Sequence, residues 1–420
     1  MINEESYGRS FPSITVSRNR ILYIIYAFLV FSIVFSSNDL LPPSFSWALN
    51  KIIYLLLLSF FMALLTFKLF AIRLNGLVVI WLLSCYVLLS LVVSFFNFGI
   101  LGVFVQGFSE GLVWALMFLM FFVAVDFFSI KKLLFPFLFP SIILFLLSVS
   151  IFFGLEVNYQ GSVPKLSPGI EETKEGLLFF SGVYINQNSF AEFLFFFISV
   201  LLASRSVVIS KISLFFLVVF SLSGVFFLIS TVSRASILGL CIFLLLLAVG
   251  YRYYFRTYVY FLFCFVFLIN FAYLFFDILA ALITRVLVDG SSGRTEIWHD
   301  ALSKLYSNPW GGVGSYSYFG LSAHNSYLHK LVSSGVPVFV FWIIFYFLFV
   351  FLAIYQILNF RGENRFLVTT LASSFIAICV HQIFETSMSS GFSRTTIYMM
   401  FIAAMLSKKQ FGSQWLLKFK

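Results

Sequence analysis

The chain has 420 residues, of which 61% are hydrophobic and only 10% charged, with a mean hydropathy of +1.05 and a formal net charge of +10. An ordinary globular chain carries roughly 25% charged residues, so this composition excludes a water-soluble protein and makes lipid the main solvent. The positive charge does not point to nucleic acid, because the basic residues stand in ones and twos at the ends of apolar segments, where membrane topology requires them.

A helix that crosses hydrocarbon needs about 20 mostly apolar residues. Windows of that length predict spans near 20–37, 52–71, 75–96, 110–129, 133–154, 177–203, 212–231, 235–251, 257–280, 336–357, 366–383 and 394–407. The first apolar run follows a polar segment of mixed charge and lacks a small-residue cleavage site, so it reads as a retained first span. With the N-terminus inside, the cytoplasmic segments, both ends included, hold 17 of the 26 basic residues, and every short inside connection carries at least two. One span lost or gained would invert that ladder, so the expected fold is all-α and polytopic, with about twelve transmembrane helices and both ends cytoplasmic. The chain divides into residues 1–280 with the first nine spans, 281–335 as a large outside loop, and 336–420 with the last three spans and a cytoplasmic tail. Cys85, Cys241, Cys264 and Cys379 all lie within apolar runs without metal-ligand or CxxC spacing, and read as small buried side chains.

Two outside segments are longer than the rest. One, about 155–176, carries Glu156, Glu171, Glu172 and Glu175. The other, about 281–335, is the longest polar stretch, and a loop of that length is usually functional or disordered. Order is expected here, since Ile297, Trp298, Ala301, Leu302 and Leu305 recur on one face of a helix. Asn308-Pro309 ends that helix, and Gly311, Gly312 and Gly314 make a turn. A second helix is predicted from about His324 to Ser334, stopping at Gly335 with Pro337 beyond. The loop therefore reads as a helical hairpin on the outer membrane face.

Three outside residues are candidates for chemistry. Arg294 opens the first loop helix, where free N–H groups and the helix dipole favour an anion and a guanidinium can grip phosphate bidentately. The alternative is a solvated arginine paired with Glu296 or Asp300. Arg234 lies in a tight Ser/Thr-rich outside turn, Ser230-Thr231-Val232-Ser233-Arg234-Ala235-Ser236, at the membrane boundary. It is either a snorkelling anchor or part of an enclosed polar site. His324 opens the second loop helix and can serve near neutral pH as base or hydrogen-bond donor, or be a plain polar surface residue. His299 and His329 are nearby, but no HxxxH or HExxH spacing occurs, so no metal and no other cofactor is expected. Glu192, with Asn186 and Asn188, interrupts an apolar run and is placed against the same cavity. Glu110, Asp126, Asp277, His381 and Glu385 fall near predicted interfaces and read as residues that sit there for that reason. Together these positions suit a diphosphate-bearing lipid substrate, with the arginines neutralising the diphosphate as it leaves and His324 orienting or deprotonating an attacking hydroxyl.

The pieces Gly293-Arg294-Thr295-Glu296-Ile297-Trp298, Asn308-Pro309-Trp310-Gly311-Gly312-Val313-Gly314, Ala323-His324-Asn325 and Gly335-Val336-Pro337-Val338 resemble the signature region of the O-antigen polymerase and O-antigen ligase superfamily. Ser233-Arg234 and Asn186-Gln187-Asn188-Ser189-Phe190-Ala191 resemble further family features, although the family usually has Asn-Pro-Asn where this chain has Asn186-Gln187-Asn188. The resemblance implies a metal-independent, GT-C-like glycosyltransferase of the bacterial inner membrane, working at the periplasmic face on a glycan carried by undecaprenyl diphosphate. It implies Arg294 and Arg234 as diphosphate binders and His324 as the residue assisting the acceptor. Asn325, Asn188, Tyr327 and Arg285 are the expected substrate-binding neighbours, although the departure from Asn-Pro-Asn gives the Asn186–Asn188 turn no family role. A polymerase would extend a lipid-linked repeat unit, and a ligase would transfer the finished chain to lipid A–core. The loop motif is shared by both; the full Gly-Arg-Thr-Glu-Ile-Trp form and the Phe-rich divergence lean toward polymerase. A chain-length regulator is a conceivable partner, nucleic acid is not. The rival of another class is a lipid-linked oligosaccharide flippase, which would carry charges along a central cavity and short loops on both sides.

Overall fold

The computed structural model describes residues 14–36, 52–53, 56–60, 74–102, 111–154, 171–172, 178–184, 186–207, 210–231, 233–251, 294–314, 324–362, 364–385 and 393–407. The predicted span 257–280 lies outside them. Helices run over Ile14–Ser36 (α1), Leu74–Gly102 (α2), Val113–Phe127 (α3), Ile130–Phe152 (α4), Gln187–Ser204 (α5), Lys211–Ser230 (α6), Arg234–Tyr251 (α7), Arg294–Ser307 (α8), Ser326–Asn359 (α9), Arg365–His381 (α10) and Arg394–Ser407 (α11). A two-residue antiparallel pair, Glu171–Glu172 with Leu178–Phe179, precedes α5. Among the described residues the fold is all-α apart from that pair. Four of the described helices, Ile130–Phe152, Gln187–Val207, Lys211–Ser230 and Ser326–Asn359, are long and apolar enough to cross a membrane, and shorter apolar helices accompany them. The chain is an integral membrane protein.

Helix α11 is the axis of the bundle: every residue from Arg394 to Ser407 is buried. Helix α3 packs on it from one side and α10 from the other, while α10 is also flanked by α7, α9 and α5. Helix α6 marks the opposite extreme. It buries only Leu217, Gly224, Phe227, Leu228 and Ser230, and leaves Ile212, Phe215, Phe216 and Val218 exposed toward what lipid would cover. Between apolar helices in lipid, association depends on close packing and polar ties. Both are present. Gly224 brings α6 against Ile198 of α5, and Gly250 brings α7 against Thr369 of α10. The Tyr398 hydroxyl bonds Ser199 at 2.8 Å inside the core, and the Tyr26 hydroxyl donates to the Leu133 carbonyl at 2.9 Å. The many phenylalanines interlock edge to face, as Trp114 does with Phe345 at a centroid distance of 4.6 Å.

The two loop helices form as the periodicity predicts, with one difference. The second does not stop at Gly335 but kinks there, at φ 76°, and continues as the following span. The kink has a steric cause. Gly312 (φ 68°) and Gly335 stack backbone on backbone: a Cβ on Gly335 would collide with the Trp310 carbonyl, and one on Gly312 with the Ser333 backbone and the Gly335 nitrogen. Val313 N donates to Val332 O and Val336 N to Pro309 O, each at 2.9 Å, and these bonds seal the contact. Ala301 and Val332 are buried together beneath it, with Leu305, Val313 and Leu328 around them. Asn97 of α2 donates to Gly311 O at 2.5 Å, fastening the hairpin turn to the bundle. Helix α5 begins at Gln187 rather than near residue 177, because Gly182 turns the chain at φ 58° and Phe180, Val183 and Tyr184 are buried in non-helical backbone before it.

At φ 76° and ψ 169° Gly335 occupies backbone essentially confined to glycine, so alanine there adds about 1–3 kcal/mol of strain and a backbone clash on top. Gly335→Ala is expected to lower the thermal midpoint of the detergent-solubilised protein. An unchanged midpoint would show that this contact does not hold the hairpin.

Candidate active site

The candidate residues sit where several helices end together. Arg294 is the first residue of α8, half-buried, and its guanidinium faces away from its own helix. Asp300 is taken by Lys304 one turn on, at 2.9 Å, whereas Arg294 lies 3.9 Å from Glu385, beyond the end of α10, and 6.0 Å over the Phe384 ring. The pairing of Arg294 is thus with the bundle, and the solvated alternative does not hold.

His324 precedes α9 and is the one non-glycine among the described residues with positive φ, 46°. Left-handed backbone costs a side-chain-bearing residue roughly 1–2 kcal/mol, and such strain persists only where neighbours over-determine it. Here the next residues do so. Asn325 caps α9, its Oδ1 accepting from Leu328 N at 3.0 Å. Ser326, fully buried, is held three times: its N–H donates to Gln382 O at 2.9 Å, and its hydroxyl bonds Gln382 Oε1 at 2.7 Å and Glu385 O at 2.9 Å. Burial and the nearby Arg294 charge both lower the pKa of His324, which keeps the imidazole neutral at pH 7.

Arg234 is the first residue of α7, half-buried, after a turn whose hydroxyls face inward: Thr231, Ser233 and Ser236 are all buried. Ser236 Oγ lies 3.0 Å from His381 Nε2, and His381 Nδ1 lies 3.1 Å from Gln382 Nε2. Because Gln382 Oε1 accepts from Ser326, its amide nitrogen is the donor to Nδ1, which leaves Nε2–H to donate to Ser236. This buried chain ties the start of α7 to the start of α9 through the end of α10. Arg234, Arg294 and His324 therefore belong to one end of the bundle.

Asn188 lies in the first turn of α5, where its N–H bonds Asn186 Oδ1 at 2.7 Å, and Glu192 of the same helix is buried and accepts from the Thr395 hydroxyl. Arg394 holds that turn from α11, donating to Ser189 O at 2.6 Å and to the Tyr184 hydroxyl at 2.8 Å. Tyr327 is placed one residue into α9, its hydroxyl donating to Cys379 O at 2.7 Å as a tie between helices. Arg285 lies outside the described residues. Two residues passed over in the sequence belong here, His381 and Glu385. Glu385 lies outside the spanning helix, and burial, with the Glu192 charge adding and Arg294 opposing, pushes its carboxyl up to about 8. No group of metal-ligating side chains occurs among the described residues.

The arrangement offers a half-buried arginine at a helix N-terminus, a neutral imidazole beside it, and a polar floor of hydroxyls and carboxyls. It can bind an oxyanion and accept a proton at one place. Residues 216–343, from within α6 to past the kink of α9, match the family model described as O-antigen ligase. No curated protein matches the chain. The matched segment contains Arg234, Arg294 and His324 together with the strained turn and the glycine contact. This match supports the resemblance of the segment to the O-antigen polymerase and ligase superfamily.

Proposed function

We propose that this protein is a glycosyltransferase that polymerises oligosaccharide repeat units carried on undecaprenyl diphosphate, at the periplasmic face of the bacterial inner membrane. The observation that carries the reading is the convergence of Arg294 and His324 on the end of α10, with the imidazole held neutral and its backbone strained. Twelve crossings with both ends cytoplasmic put this convergence outside, where a flipped lipid-linked glycan would present its diphosphate.

In the proposed reaction, a hydroxyl of the acceptor glycan attacks the anomeric carbon of the donor. The new C–O bond forms as the bond from that carbon to the diphosphate oxygen breaks, and the electron pair leaves with undecaprenyl diphosphate. His324 takes the acceptor's proton, which needs the neutral imidazole. Arg294, with Arg234, neutralises charge growing on the leaving diphosphate. Asn325 and Asn188, at the starts of α9 and α5, and Tyr327 border the acceptor and donor sugars. No step calls for a metal. The match to a model described as O-antigen ligase favours a second reading, transfer of the lipid-linked glycan to lipid A–core.

Arg294→Ala and His324→Ala are each expected to abolish long glycan with protein level unchanged; glycan of wild-type length in both would overturn the site. Loss of chemistry separates from loss of stability at position 324, because glycine bears left-handed backbone without strain. His324→Gly is expected to be as inactive as His324→Ala yet more stable by about 1 kcal/mol. Equal midpoints would contradict the strained turn. Since the lowered imidazole pKa leaves the base form in place at neutral pH, the acid-side fall in turnover should come only below about pH 6.5, the ordinary histidine range. An acid limb centred above that value would exclude His324 as the base. A deletion strain divides the two readings: core with a single repeat unit means polymerase, and bare core with accumulating lipid-linked polymer means ligase.

A further inference from the structure

The site holds two carboxyls where a dianionic ligand is to bind. Glu385 Oε1 lies 3.9 Å from the Arg294 guanidinium, close enough for attraction and too far for a hydrogen bond. That oxygen is buried and has no hydrogen-bond partner among the described residues. Glu192 faces Glu385 from α5, its own oxygen engaged by Thr395. His381, from the end of α10, is within electrostatic reach of Glu192 and Arg294, and His324 of Arg294. Nearby Arg394 has two of its donors on Ser189 O and the Tyr184 hydroxyl.

With Glu385 ionised, its carboxylate stands 3.9 Å from the guanidinium that is to grip the phosphate, and Glu192 adds a second negative charge. A diphosphate brought to Arg294 would meet repulsion from these carboxylates in a low-dielectric setting, where such repulsion is strong. One proton resolves the conflict. On Glu385 it removes the competing charge, gives the orphaned oxygen a hydrogen to donate, and leaves the Arg294 fork for phosphate. An ionised oxygen buried without a donor is costly in its own right, and the upward displacement of this carboxyl to about 8 agrees with that cost. A protonated carboxyl donating to an oxyanion is established chemistry for enzyme sites.

We propose that Glu385 is a ligand-binding residue of this site, standing beside Arg294 as a proton-bearing carboxyl that donates a hydrogen bond to the lipid-linked diphosphate. The proposal rests on the diphosphate reading of the site. Its sign follows directly. The protonated form binds, so affinity is full below the carboxyl's pKa and is lost as pH rises through it, when the carboxylate reclaims Arg294 and repels the ligand. His324 titrates below this range.

The test is binding of a short-chain polyprenyl diphosphate sugar, whose diphosphate stays fully ionised throughout, to the full chain in lipid nanodiscs. Wild-type affinity is expected to fall roughly tenfold from pH 7 to pH 9, one unit past the carboxyl's pKa. E385Q keeps the shape and the neutral donor, and is expected to bind equally at both pH values. Calorimetry of the wild-type chain at pH 8.5 in two buffers of different ionisation enthalpy should show uptake of most of one proton, and needs no variant to fold. Wild-type affinity independent of pH, an equal fall in E385Q, or no proton uptake would each overturn the role of Glu385 while Arg294-dependent binding persisted. Absence of binding at pH 7 would overturn the diphosphate reading, and this role with it.

Discussion

Ser326 is the joint on which the candidate site depends. It is buried at the start of α9 and takes both main-chain and side-chain bonds from the residues that end α10. Water is excluded from this place, so an unmade bond would leave a buried polar group, and each such group costs about 1–3 kcal/mol. The joint therefore tolerates little displacement. It fixes His324, two residues before it, in a conformation the residue would not choose, and through Gln382 and His381 it reaches Ser236 and the start of α7. The Glu385 carbonyl in the same joint sets where that residue's carboxyl meets Arg294. One set of buried bonds thus gathers the starts of α9 and α7 around the end of α10 and places the Glu385 carboxyl 3.9 Å from the start of α8.

The bundle supplies the rigidity behind this joint. Helices α10 and α11 are enclosed on nearly all sides, so their ends cannot swing independently of the core. The loop helix α8 is held differently, by the small apolar contact of Ala301 and Val332 and by the backbone approach of Gly312 to Gly335. Arg294 thus stands on the more lightly anchored side of the site, and His324 and Glu385 on the firmly anchored side. A substrate entering between α8 and the bundle would meet one adjustable charge and two fixed groups.

Much of this was legible in the sequence. Local chemistry set the helix boundaries: Asn308-Pro309 follows the end of α8, Asn325 caps α9, and the last predicted span, 394–407, coincides with α11. Arg294 and Arg234 announced themselves as charges at helix starts. The start of α5 was not legible, because Leu178, Phe179 and Phe180 are as apolar as any span and hydropathy cannot tell buried turn from buried helix. Nor was the continuity of α9, since a glycine followed by a proline reads as a stop and only the Gly312 backbone shows it to be a kink. His381 and Glu385 were hidden for a deeper reason. Polar residues at the end of a span are ordinary interfacial residues in one dimension, and only the central place of α10 turns them inward. Their role is tertiary, and the periodicity of a single helix carries no trace of it.

The most direct measurement is a structure of the full chain in lipid nanodiscs with a non-reactive analogue of a polyprenyl diphosphate glycan. Diphosphate density within hydrogen-bond reach of Arg294, with the first sugar turned toward His324, is the result expected. Density at the opposite end of the bundle, or on a path that leaves Arg294 and His324 uncontacted, would contradict the site and the reaction built on it.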